Sequence, residues 1–242
     1  MLGMTDPIFA HHRLAELYDP LDPDRSDLDV YADMVAEFGA DSVLDIGCGT
    51  GTFACLLAGR DVEVTGVDPA SASLDVARRK PLADRVTWIQ GDATTLPPLQ
   101  VDLAFMTANV AQVFLTDADW LATLAGAKAA LRPGGRLVFE TRDVTKRAWE
   151  NWNRPPATTT IEGIDTVEVW SEVLSVDLPL VSFRWSYRFA SDGEVIVSDS
   201  TLRFRERDEV GEQLVQSGFV VEEIRDAPDR PGYEFVFIAR SR

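Results

Sequence analysis

The chain has 242 residues, 45% of them hydrophobic, which suits one α/β domain with an elaboration and a core of ordinary size. Its formal net charge is −17, and no strong run of Lys and Arg offers partners to phosphates, so a nucleic acid is not the expected substrate. No apolar stretch reaches the 18 residues of a membrane span, and two cysteines, Cys48 and Cys55, make no disulfide framework, which fits a reducing, cytoplasmic setting.

The first forty residues are dense in acid (Asp19, Asp22, Asp24, Asp27, Asp29, Asp33). Residues 1–13 contain no apolar signal core, so a secretory leader is not expected. Residues 1–40 are expected to form a helical cover. Within it, residues 8–31, anchored by Leu14 and Leu17, are expected to fold over the site as a lid with Tyr18 facing it. The rival is a disordered acidic arm. On the lid reading, removal of residues 1–24 leaves the fold intact and slows turnover at least tenfold, about 1.4 kcal/mol of barrier.

Between Asp41 and Glu140, short β-branched runs alternate with helical stretches, the pattern of βαβ units and a parallel sheet. Strands are expected over 43–46, 62–67, 86–90, 101–106 and 136–141, and helices over 52–58, 71–79 and 118–131. The last helix repeats Leu121, Leu124 and Leu131 and stops at Arg132-Pro133-Gly134-Gly135. Beyond Arg142 the period falls to two, with strands over 158–162, 166–175, 180–189 and 194–205. A helix over 208–216 ends at Gly218, and strands over 219–224 and 233–240 close the chain. The expected fold is α/β: a Rossmann-like seven-stranded sheet, mostly parallel with an antiparallel last strand and flanked by helices, plus a small antiparallel β-insert after strand five. Residues 41–152 and 206–242 form the core, and residues 153–205 the insert.

The most informative segment is Val43-Leu44-Asp45-Ile46-Gly47-Cys48-Gly49-Thr50-Gly51. A buried strand there runs into alternating glycines and a helix, a turn that lets backbone approach a ligand and is shared by NAD, FAD and nucleoside binders. Asp45 narrows the choice, because an acid beside the glycines repels a pyrophosphate. Thr52 also stands where the dinucleotide fingerprint wants its third glycine. A ligand with an ammonium and a sulfonium, such as S-adenosylmethionine, suits that acid. Two more acids close strands in turn: Asp68, placed to take ribose hydroxyls, and Asp92, placed to accept from an adenine amine. Alone, each reads first as a cap or turn former. Three at consecutive strand ends read as a site.

With the stretches VLDIGCGTG, VTGVDPAS, IQGDATTLP, VDLAFMTANVAQVF, LRPGGRLVFETRD and SGFVVEEI, the chain resembles the class I S-adenosylmethionine-dependent methyltransferases, specifically the small-molecule group. The resemblance implies that Asp45, Cys48 and the backbone of Gly47, Gly49 and Gly51 hold the methionine end of S-adenosylmethionine. It implies that Asp68 binds the ribose with Pro69 beside the adenine, and that Asp92 and Ala93 read the adenine edge. Asn109 is placed near the sulfonium and the acceptor. No Asn-Pro-Pro-Tyr box is present, which argues against adenine or glutamine as acceptor.

Methyl transfer to a small molecule is the expected activity, by alignment of a nucleophile behind an activated methyl. A cofactor-binding sensor or scaffold without turnover is the alternative. No catalytic base is assigned: His11 and His12 read as a solvated pair, and Glu140 as a cap or ion-pair partner. No metal, nucleic acid or membrane partner is expected, and the chain is expected to be a monomer or homodimer. The stripe Phe183, Trp185, Tyr187, Phe189 is expected to pack the insert against the main sheet, and Trp149 and Trp152 to line the pocket.

Overall fold

A computed structural model describes residues 5–242. Three helices, α1 (Pro7–Ala10), α2 (His12–Leu21) and α3 (Asp27–Glu37), precede the first strand. The core then runs β1 (Ser42–Ile46), α4 (Thr52–Gly59), β2 (Glu63–Asp68), α5 (Ser71–Ala77), β3 (Val86–Gln90), β4 (Val101–Met106), α6 (Asp117–Ala130) and β5 (Leu131–Arg142). Strands β6 (Arg154–Ile161), β7 (Asp165–Asp177), β8 (Leu180–Phe189) and β9 (Val195–Arg203) form a separate antiparallel sheet. Helix α7 (Arg207–Gln216) and strands β10 (Phe219–Asp226) and β11 (Glu234–Ser241) complete the chain.

The main sheet has the order β10-β11-β5-β4-β1-β2-β3, with β11 antiparallel to both its neighbours and the other pairs parallel. Alternate side chains leave the sheet on opposite faces. Val43, Val64, Leu103 and Phe105 meet α3 and α4, while Leu44, Val67, Ala104 and Met106 share a cluster with Leu124 of α6 and Leu214 of α7. Both faces being covered, the parallel strands read as continuous apolar runs. β5 starts five residues before the expected position. Leu131 pairs with Val101 and Arg136 with Leu103, so Arg132-Pro133-Gly134-Gly135 is a bulge inside the strand rather than a loop ahead of it.

The insert's aromatic stripe departs from expectation. Tyr187 and Phe189 bury against Ile8, Leu14 and Leu17 of the N-terminal helices, not against the main sheet. Phe183 instead meets Trp152, ring centroids 4.8 Å apart. Trp149 and Trp152 pack with Val181 and Phe204, wedging the base of the insert, and line neither of the cavities described below. Helix α1 ties both bodies together. The Ile8 N–H donates to Ser198 Oγ of β9 at 2.9 Å, and Ser73 Oγ of α5 donates to the Phe9 carbonyl at 2.9 Å. No helix among the described residues is long and apolar enough to cross a membrane.

Candidate cofactor and acceptor site

A cavity of about 530 Å³ opens at the C-terminal edge of β1, β2 and β3, beside the point where the strand order reverses, the usual ligand crevice of an open α/β sheet. Asp45, Gly47, Cys48, Gly49, Asp68, Pro69, Asp92 and Ala93 all line it, and Tyr18 of α2 closes one side. Gly47 and Cys48 donate their N–H groups to the Val67 carbonyl at 2.8 and 3.2 Å, which folds the turn back on β2. Gly49 has φ +52°, a conformation that disfavours side chains, and a Cβ there would point into open space. Backbone is therefore presented bare to the cavity.

Asp68 sets the turn as well as facing the cavity. Its two oxygens accept from Gly49 N–H at 2.9 Å and Ala70 N–H at 2.8 Å, leaving one lone pair on each for a ligand. Asp92 accepts from the N–H and hydroxyl of Thr94 at 2.7 and 2.5 Å, a local turn that fixes its carboxylate at the rim. Asp45 differs from both. It is 1% exposed, and neither oxygen has a hydrogen-bond partner among the described residues. Burial, and then the nearby Asp68, push its carboxyl up to about 7, against the pull of Arg25. Such a group wants a cation or a strong donor.

The charge around the cavity sharpens this. Six aspartates (Asp6, Asp45, Asp68, Asp92, Asp119, Asp199) and one arginine (Arg25) line it. A pyrophosphate would enter an acidic enclosure, whereas an ammonium meets the unpartnered Asp45 and vicinal hydroxyls meet Asp68. The donor set thus fits S-adenosylmethionine and not a dinucleotide.

Two of the sequence-derived residues lie elsewhere. Gly51 does not line the cavity: a Cβ there would meet Trp88 at 2.5 Å and Ala77 at 2.8 Å, so its role is close packing of α4 on its neighbours. Asn109 turns away to a second, smaller cavity of about 150 Å³, where its side-chain amide donates to Glu234 at 3.3 Å. Its own φ of +61° follows an Ala108 at +56°, two consecutive non-glycine residues in the left-handed region. The Asn109 N–H donates to Glu140 Oε1 at 2.6 Å and holds that turn. Burial lifts the Glu140 carboxyl to about 7, although the Asn109 N–H and the Tyr31 hydroxyl lower it. His11 and His12 are exposed. Among the described residues no group of His, Cys, Asp or Glu is placed to hold a metal.

Other lining residues carry no local sequence signal. Phe9, Val110, Val113 and Thr201 reach the larger cavity from segments far apart in the chain. Above it, Asp19 of α2 accepts from Thr50 and Thr52 hydroxyls at 2.7 and 3.1 Å and pairs with Lys80 at 2.7 Å. Helix α2 is thereby fastened to the glycine turn.

The arrangement has relatives. Residues 43–135 match the model of a methyltransferase domain. The chain is 33% identical over 105 residues to the malonyl-[acyl-carrier protein] O-methyltransferase of Serratia marcescens, a match covering 42% of this chain and 38% of that protein. It spans well under half the length of the first curated relatives it matches. Solved structures agree over nearly the whole length. An S-adenosylmethionine-dependent methyltransferase from Clostridium acetobutylicum superposes with a TM-score of 0.77 at 17% identity, covering 95% of this chain and 98% of that one. The S-adenosylmethionine-bound amino pentose methyltransferase CalS10 of Micromonospora echinaspora gives 0.70 at 23% identity, over 93% and 97%. Residues 43–135 thus resemble a methyltransferase domain, in a chain that has the fold of the S-adenosylmethionine-dependent methyltransferases.

Proposed function

We propose that this chain binds S-adenosylmethionine in the larger cavity and transfers its methyl group to a small-molecule acceptor. The observation that carries the reading is the Asp45 carboxylate, fully buried, without a hydrogen-bond partner among the described residues and facing a cavity lined by five further aspartates and one arginine. Asp45 would hold the ammonium, together with Cys48 and the backbone of Gly47 and Gly49. Asp68 would bind the ribose hydroxyls with Pro69 alongside, and Asp92 and Ala93 the adenine. Tyr18 would close the site from α2. When bound, the cofactor supplies a methyl group activated by the sulfonium. The chain's part is to orient the acceptor and exclude water, and alignment of this kind is worth roughly 7–11 kcal/mol of barrier.

On this reading residues 41–152 and 206–242 carry the cofactor, residues 1–40 cover it, and the insert over 153–205 covers the acceptor or mediates association. The net charge of −17 supports an acceptor other than nucleic acid, and the free thiols Cys48 and Cys55 suit a cytoplasmic setting. A monomer or a homodimer is compatible with an exposed insert edge at β6.

Titration calorimetry tests the cofactor directly. S-adenosylmethionine and S-adenosylhomocysteine are expected to bind, and NAD to give no heat. The reverse order of affinities would refute the assignment.

A further inference from the structure

The smaller cavity is lined by more carboxylates than guanidiniums: Asp22, Asp27, Glu140, Asp229 and Glu234 against Arg25, Arg142 and Arg230. Glu140 Oε2 and Asn109 Oδ1 are buried and have no partner among the described residues. Each guanidinium around them bonds elsewhere through at least one N–H: Arg142 Nη1 donates to Gln112 at 2.9 Å, Arg230 Nη1 to Glu234 at 2.8 Å, and Arg25 Nε to Asp27 at 3.1 Å. At about 150 Å³ the space is some ten times the ~15 Å³ that one water needs, so it admits an organic group. It also lies next to the proposed transfer site, since Tyr18, Arg25 and Ala108 border both cavities. The left-handed turn at Ala108 and Asn109, held by Glu140, keeps the Asn109 side chain aimed here. Strain of that kind persists where function fixes it.

We propose that this cavity seats the amino group of the acceptor, whose N–H groups donate to Glu140 Oε2 and Asn109 Oδ1, so that the substrate is an amine. The assignment rests on the methyl-transfer reading above. Glu140 binds the ammonium form and takes one proton from it, giving a neutral amine and a carboxylic acid. The amine lone pair then forms the new N–C bond while the C–S bond breaks and its electron pair stays on sulfur. The cofactor's own ammonium belongs with Asp45, on the other cavity.

The test uses the whole chain, as wild type and Glu140→Gln, each titrated first with S-adenosylhomocysteine. Cyclohexylamine, cyclohexanol and cyclohexanecarboxylate are then added to the saturated proteins at millimolar concentration. The amine is expected to bind wild type at least fivefold more tightly than Glu140→Gln, and to shift the Asn109 side-chain amide resonance of the unmodified protein. The alcohol and the carboxylate are expected to leave that resonance in place. The wild-type amide shift keeps the test meaningful should the variant fold poorly. Equal amine binding by both proteins with no shift, or a preference for the carboxylate, overturns the proposal. So does a loss of S-adenosylhomocysteine affinity in Glu140→Gln, which would give this cavity to the cofactor. Absence of S-adenosylhomocysteine binding by either protein, with amine discrimination retained, would instead sink the methyl-transfer reading.

Discussion

A carboxylate enclosed by protein ordinarily recruits a guanidinium or a row of N–H donors, because an ionised carboxylate loses its hydration on burial. Among the described residues Asp45 is hydrogen-bonded to neither. Its folded-state value of about 7 lies above the ordinary aspartate range, so protonation favours the empty fold. That contribution is full below about pH 4 and is lost as pH rises through about 7. A ligand ammonium reverses the preference by favouring the ionised form. S-adenosylhomocysteine should therefore bind more weakly as pH falls from 8 to 6, by an amount approaching tenfold per unit below 7. Glu140 titrates over the same range, so the control is Asp45→Asn, which should bind weakly and show a much flatter profile. Calorimetry at four pH values decides it, and a steep profile retained in Asp45→Asn would remove Asp45 from the site.

The glycine turn between β1 and α4 divides its labour in a way that substitution can expose. Gly51 has φ +78° and no room for a methyl group, so Gly51→Ala should cost about 1–3 kcal/mol or more of stability, read as a lower urea midpoint. Gly49→Ala meets no neighbour, so its stability cost should be the ~1–2 kcal/mol of the backbone alone, with ligand affinity the property that suffers. Equal midpoints for the two variants would contradict this division. The same turn shows what the sequence carried. Asp45, Asp68 and Asp92 were legible because strand, acid and glycine follow one another locally, and register alone then gathers three strand ends on one edge. Gly51 shared that spacing yet belongs to the packing, since Trp88 approaches it from a strand that begins 35 residues later. Asn109 follows β4 on the same edge, and its side chain lines the smaller cavity rather than the larger one. Its direction is set by a left-handed turn and by Glu234, 125 residues away, and neither leaves a local pattern. The roof is least legible of all, because Phe9 and Thr201 meet only through the packing of α1 on β9.

At the scale of the whole molecule the N-terminal helices are part of the packed structure, and this decides how the proposed lid can be tested. Leu14 and Leu17 are fully buried against Tyr187 and Phe189, each worth about 1.5–3 kcal/mol, and Arg13 lies 3.6 Å over the Phe189 ring. Deleting residues 1–24 should therefore lower the melting temperature and expose a dye-binding apolar face on the insert. A truncated chain with unchanged melting and no dye binding would restore the view of a dispensable arm. Gating has to be probed through the fastening instead. Asp19 joins α2 to Thr50, Thr52 and Lys80 at positions only partly shielded from solvent, where ion pairs contribute about 0–1 kcal/mol. Asp19→Ala should leave the unfolding midpoint nearly unchanged. Tyr18 sits beside Asp19 on the same helix and borders both cavities, so loosening α2 should open the route by which a ligand leaves. The expected outcome is faster dissociation of S-adenosylhomocysteine, followed by stopped-flow tryptophan fluorescence, with association less affected. If dissociation keeps its wild-type rate while the fold is intact, α2 does not gate the site, and Tyr18 is a fixed wall.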